Sequence, residues 1–227
     1  MTTAFVSRSS SFAWASRAGM FGLCAAALLT LCGCMNFHTV KEGKVYRSAQ
    51  PEAVDIERWA DKHGIKTIIR LRGGQPGQWH YEADMEGVTA RNLKFIHIPM
   101  AANRHPKKQE LVRLVEALET AEYPVLIHCM AGADRTGLAS AVFVLMDGGT
   151  VEQARKQFDF GTYKHTGKFG TEKLDEVLDM YEPWQSRLSF AAWVRHHYEQ
   201  PEDGVFSKED RQANVAEALK WNNAKPR

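Results

Sequence analysis

From Lys44 onward, short aliphatic runs alternate with stretches whose apolar positions recur every three or four residues. That is the pattern of a mostly parallel sheet covered by helices. A first short strand is expected over "KVYR", Lys44–Arg47. Pro51 then opens a helix in which Ile56, Trp59 and Ala60 share one face and Gly64 fits the C-terminal cap. "KTIIRLR", Lys66–Arg72, reads as a strand running into the turn "GGQPG", and "KFIHI", Lys94–Ile98, as the next. A helix follows with Leu111, Leu114, Val115 and Leu118 on one stripe. "PVLI", Pro124–Ile127, is apolar throughout and is expected at the centre of the sheet, with helices on both faces. "LASAVFVLM", Leu138–Met146, is apolar almost all round and reads as a helix buried behind that sheet. Further helices are expected over Thr150–Gln157, with Phe158 following, over Thr171–Tyr181 and over Ser186–Tyr198. From Pro201 the chain is polar, with a weak helical pattern around Val215, Ala216 and Leu219. The expected fold is one α/β domain, a central and mostly parallel sheet of four to five strands flanked by helices.

The chain has 227 residues, 44% hydrophobic and 25% charged, enough for one sizeable core. Residues 1–34 differ from the rest: they hold no acidic residue, have arginines at Arg8 and Arg17, and carry an apolar run from Gly19 to Leu31. That is a signal-peptide pattern, too short to span a bilayer comfortably. It ends in "LCGC", Leu31–Cys34, which resembles the bacterial lipobox and makes Cys34 the candidate lipidation site. The resemblance implies export and a lipid anchor in the bacterial envelope. With Met35 rather than aspartate after Cys34, it leans towards the outer membrane, facing the periplasm.

Removal of this segment would take Arg8 and Arg17 and leave 27 Lys+Arg against 27 Asp+Glu. A neutral chain is a poor general nucleic-acid binder, because that affinity comes from neutralising phosphates with excess Lys and Arg. Processing would also leave Cys129 as the one free thiol, so no disulfide framework and no CxxC metal pair is expected.

The chemistry is concentrated in "HCMAGADRTG", His128–Gly137, which lies between the central strand and the buried helix. A loop at a strand–helix corner turns several backbone N–H groups inward, and the positive end of the helix dipole adds to them, so it suits a tetrahedral oxyanion. Met130, Ala131, Gly132, Ala133, Asp134 and Arg135 form the candidate phosphate cradle. Gly132 permits close backbone approach, and the small Ala131 and Ala133 let the loop curl. Arg135 can fold back and hold two phosphate oxygens with its planar fork. The field that binds phosphate also favours a thiolate at Cys129, an in-line nucleophile towards phosphorus. Thr136 can donate a hydroxyl hydrogen bond to the sulfur, and His128 can fix the loop through its imidazole, or simply pack there.

This stretch resembles the His-Cys-x5-Arg-Thr/Ser-Gly signature of cysteine-dependent protein tyrosine and dual-specificity phosphatases. "VYRSAQP" (Val45–Pro51), "KTIIRLR" and "IHIPM" (Ile96–Met100) look like the first strands of the compact, atypical dual-specificity branch. The resemblance runs from about Val45 to Met146 and implies a phosphatase domain over residues 35–200, with a polar, partly helical extension over 201–227. It implies two-step hydrolysis through a cysteinyl-phosphate, without metal or cofactor, with Cys129 as nucleophile and Arg135 as clamp and transition-state stabiliser.

The sequence departs from that family at the general acid. No carboxylate stands between Arg91 and Gln109, where a movable loop would carry one; Glu110 is the first and begins a helix, and nothing aims His105. Asp134 immediately precedes Arg135, as in the "DRT" loops of myotubularin-like lipid phosphatases and some bacterial tyrosine phosphatases. It is therefore either the acid or a residue that fixes the loop. The basic segment "NRHPKK", Asn103–Lys108, either attracts a polyanion or is a solvated face. Three functions follow: a phosphatase for phosphotyrosine, and with it phosphoserine or phosphothreonine; the same chemistry on phosphoinositides or inositol phosphates; or a phosphate-binding module without turnover. The expected partner is thus a phosphorylated protein, small molecule or lipid, with the membrane reached through the N-terminal anchor.

Overall fold

The computed structural model describes residues 35–201 and 204–224. Residues 1–34, which hold the expected signal segment and Cys34, lie outside the described residues. Residues from Met35 onward cluster as one compact unit.

Five strands form a single sheet: β1 His38–Lys41, β2 Val45–Ser48, β3 Thr67–Arg70, β4 Lys94–His97 and β5 Val125–His128. Their order across the sheet is β1-β2-β5-β3-β4; β1 is antiparallel to β2, and all other pairs are parallel. The strand delivering the chain into Cys129 is therefore central, as its unbroken apolar run requires. Register aligns Ser48 and Arg70 with His128, and His97 with Arg70, so four carboxyl-end residues stand in one polar row.

Because side chains alternate along a strand, each strand feeds two cores. Tyr46, Ile68 and Leu126 pack against α1 (Ala53–His63) and α2 (Trp79–Ala90). Val45, Ile69, Val125 and Ile127 belong to the larger core, shared with α3 (Lys108–Thr120) and α4 (Asp134–Met146). α5 (Val151–Arg155), α6 (Phe160–Tyr163), α7 (Glu172–Tyr181), α8 (Phe190–His196) and α9 (Lys208–Ala224) follow in chain order. α1 ends at Gly64 in the left-handed region, φ 67°, as its place after the helix anticipates. The polar stretch after Pro201 is helical over α9, which docks on the body: Trp184 Nε1 donates to Asn214 Oδ1 at 2.7 Å, and Ala218 is buried. Among the described residues no helix is long and apolar enough to cross a membrane.

Candidate active site

The loop from Cys129 to Ala133 joins the end of β5 to the first turn of α4. Its shape is imposed from behind. Gly132 has φ 70°, and a Cβ there would stand 2.6 Å from the Ala49 nitrogen and the Ser48 carbonyl carbon, so only glycine lets the loop lie against the end of β2.

Four successive loop carbonyls are held from outside. Gln50 N–H donates to Met130 O at 3.1 Å, and Asn36 Nδ2 to Ala131 O at 2.9 Å. Arg47 Nη2 donates to Gly132 O at 2.8 Å and to Ala133 O at 3.3 Å. In a trans peptide the N–H lies opposite the carbonyl. Outward carbonyls at Met130 to Ala133 therefore set the N–H groups of Ala131, Gly132, Ala133 and Asp134 towards the concave side. Among the described residues, none of the N–H groups of Met130 to Ala133 donates to a backbone carbonyl. Cys129 stands at the start of this cradle with 2% of its surface exposed, while Met130 projects outward, 57% exposed. Arg135 places Nη1 3.3 Å from Met100 O.

Arg47 was not anticipated. It is fully buried, donates from Nη1 to Gln157 O (2.8 Å) and Oε1 (3.0 Å), and stacks 3.8 Å from the Tyr163 ring centroid. Burial lowers its pKa to about 10, with Tyr163 and Cys129 pulling the other way, so it remains a cation beneath the loop. The other face carries a second buried cation. Arg70 pairs with Asp84 of α2, donates to His80 Nδ1 at 2.8 Å and to Gly73 O at 2.9 Å, and Gln50 Nε2 donates to Asp84 Oδ1 at 2.9 Å. Burial raises the Asp84 carboxyl to about 6 against the pull of Arg70, which leaves it ionised at neutral pH. His128 is fully buried, with Nε2 3.4 Å from Asp84 Oδ1; burial and then Arg70 push it down to about 3, so it is neutral. It supports the loop by packing, since neither ring nitrogen has a hydrogen-bond partner.

The candidates for the proton donor separate clearly. Asp134 Oδ1 accepts from His165 Nδ1 at 2.8 Å, and His165 Nε2 lies 3.4 Å from Asp175 Oδ2. Burial lowers the pKa of His165, but the bonds to Asp134 and Asp175 outweigh it and bring the value to about 9, so the imidazole is charged at neutral pH. Glu110 is occupied elsewhere, paired with Arg104 at 2.6 Å and accepting from Lys107 N–H at 2.9 Å. His105 is fully buried and bonded to Glu176 Oε2 at 2.7 Å.

Two expectations need correction. Thr136 does not bond the sulfur: it is fully buried and its Oγ1 has no partner. Most of the basic segment Asn103–Lys108 is paired and not free for a polyanion; Lys107 alone is exposed and, among the described residues, without an ion pair. Arg104 is paired with the nearby Glu110, while His105 and Lys108 find Glu176 and Glu199 on segments distant in the chain.

Comparison with solved structures places the fold. TpbA of P. aeruginosa in complex with pTyr superposes with a TM-score of 0.52 at 20% identity, covering 71% of this chain and 88% of that one. The Siw14 catalytic core gives a TM-score of 0.50 at 16% identity, covering 82% and 92%. At these identities the likeness is one of fold. Residues 35–177 match the family model described as DSP-PTPase phosphatase fused to NAD+ kinase, so the chain belongs to that family, in the atypical dual-specificity branch of the cysteine-dependent protein tyrosine phosphatases.

Proposed function

We propose that this domain hydrolyses phosphate monoesters through a cysteinyl-phosphate, with phosphotyrosine in proteins as the main substrate and phosphoserine or phosphothreonine secondary. The observation that carries this reading is the outward anchoring of four consecutive loop carbonyls, which turns the opposite N–H groups into an oxyanion cradle above Cys129. Cys129 sulfur attacks phosphorus as the ester P–O bond breaks, and Arg135 holds the equatorial oxygens. The proton that charged His165 shares with Asp134 passes through the Asp134 carboxylate to the leaving oxygen, and Asp134 then takes a proton from the water that cleaves the S–P bond and returns it to His165. His165, charged and bonded to Asp134, keeps that proton within reach. Pairing of Arg104, His105 and Lys108, which leaves only Lys107 of the Asn103–Lys108 cations without a carboxylate, favours a protein substrate over a polyphosphorylated inositol. The test is phosphate release from tyrosine-phosphorylated peptides in the presence of chelator. Turnover should persist and should vanish in Cys129→Ser; activity restored only by added metal would exclude the mechanism, and binding without release would indicate a phosphate-binding module.

For the N-terminal segment we infer export and lipidation at Cys34, which places the catalytic unit on the envelope, at the outer membrane facing the periplasm. The support is the acid-free start, the short apolar run and "LCGC". Mass spectrometry should find a lipidated N-terminal cysteine in the natural host and none in Cys34→Ser; a chain beginning at an unmodified Met1 would refute it.

A further inference from the structure

Beside the cradle stands a cation that the chemistry above does not use. Arg72 follows β3 by two residues, and Leu71 N–H, next to it, donates to His128 O at 2.9 Å, which brings Arg72 alongside the start of the loop. Among the described residues it forms no ion pair. Among the described residues its guanidinium makes one hydrogen bond, a long one from Nη1 to Gln50 Oε1 at 3.5 Å, and Gln50 is the residue whose N–H holds Met130 O. The guanidinium lies 5.7 Å from the ring centroid of Trp79, a residue 62% exposed at the start of α2. An open cleft of ≈ 540 Å³, lined by Arg72 and by Gln75 and Gln78, lies at this edge. The charges of Arg135 and Cys129 both act on Arg72, so it shares the electrostatic field of the site.

A half-buried arginine beside a second arginine, with no carboxylate of its own, is an arrangement that awaits an anion. We propose that Arg72 and Trp79 form a second subsite that takes the carboxylate of an acidic residue flanking the phosphotyrosine of a peptide substrate. The inference rests on the protein-phosphatase reading above. With the phosphate over Cys129, the peptide crosses the mouth where Met130 and Trp79 project, and a neighbouring Asp or Glu side chain reaches the Arg72 fork, which suits a carboxylate bidentately. One cation beside an exposed aromatic ring fits a peptide flank; a densely phosphorylated small molecule would call for several unpaired cations.

The experiment uses three tyrosine-phosphorylated peptides that differ only in one flanking residue, Glu, Gln or Lys. Wild-type kcat/KM should rank Glu above Gln above Lys, with Glu over Gln on the order of three- to fivefold, the size of an incompletely desolvated ion pair. Added salt should erode that ratio. Arg72→Gln should bring it close to one, and Arg72→Lys should keep part of it. A wild-type enzyme indifferent to the flank, or a preference that survives in Arg72→Gln, overturns the subsite while leaving the phosphatase reading intact. If aryl phosphate is hydrolysed but no phosphotyrosyl peptide is, the protein-substrate reading fails and the subsite with it.

Discussion

Two buried arginines flank the Cys129 loop from opposite faces of the sheet, and their surroundings differ in kind. Arg70, on the α1 and α2 face, is neutralised by Asp84 in a network that takes in Gln50 and His80. Arg47, on the other face, bonds only to uncharged acceptors, and two of those are carbonyls of the loop itself. A buried charge without a counter-charge is costly to keep. A protein that keeps one directly beneath an anion-binding loop has used stability for function. The Arg70 side closes its charge and fixes the strand end; the Arg47 side leaves a positive charge open to the site and shapes the cradle.

The comparison breaks most visibly at Arg70. Arg70→Met leaves Asp84 buried without its partner and should cost about 3–5 kcal/mol of stability, measured by urea denaturation. A loss below about 1 kcal/mol would show that the network does not hold the strand end.

Asp134 comes next. Asp134→Asn should slow tyrosyl phosphate hydrolysis by roughly two to four orders of magnitude, and an aryl phosphate with an acidic leaving group far less. Equal losses on both would mean that its pairing with His165 only maintains the loop.

Arg47→Gln should show the inverse of the Arg70 result. The rate should fall about 10–100-fold as two loop carbonyls lose their anchor, somewhat less than removal of a direct oxyanion donor. Stability should change little, because deleting an unpaired cation also deletes its desolvation cost. An unfolded variant, or an active one, would erase the distinction between the two faces.

The smallest effect concerns His165. Its pKa is raised to about 9 by Asp134 and Asp175 against burial, so the stability it contributes is complete below its ordinary value near 6.5 and fades as pH rises through about 9. The stability difference between wild type and His165→Asn should shrink over that interval; a difference that grows would reverse the assignment of charge.

Much of this architecture could be read in the chain. The central place of Val125–His128, the strands β2, β3 and β4, the face of α1 and the buried α4 all followed from apolar spacing. β1 did not, because "HTVK" is a four-residue edge strand with alternate positions exposed, and edges carry little apolar signal. α2 was missed for a more instructive reason. Its buried positions, His80, Ala83, Asp84, Gly87 and Val88, have faultless helical spacing, but polar and small residues fill three of the five with His, Asp and Gly. The period was there; the residue types concealed it, because His80 and Asp84 face the Arg70 network and, of the rest, Val88 is the one large apolar side chain that enters the core.

The site shows the same division. Cys129 and Gly132 lie in the loop and Arg135 in the first turn of α4 that follows it, so their nearness is local in the chain. Arg47, Arg70 and Asp84 come from three other elements and His165 from the segment between α6 and α7, and their roles depend on long-range contact. A signal existed for two of them: "VYRS" and "TIIR" each place an arginine inside an otherwise buried strand, which a solvated surface does not explain. The pairing of His105 and Lys108 had no such signal, because their partners lie 71 and 91 residues away.

The central claim is that Cys129, in a cradle shaped from behind by Arg47, takes phosphate covalently. Acid quench during turnover of an aryl phosphate, followed by mass spectrometry of the Cys129 peptide, tests it directly. The account predicts phosphocysteine at Cys129 in the wild type and none in Cys129→Ser, with turnover lost in the variant. Phosphate release that continues in Cys129→Ser, or a phosphoryl group found on another residue, would contradict it.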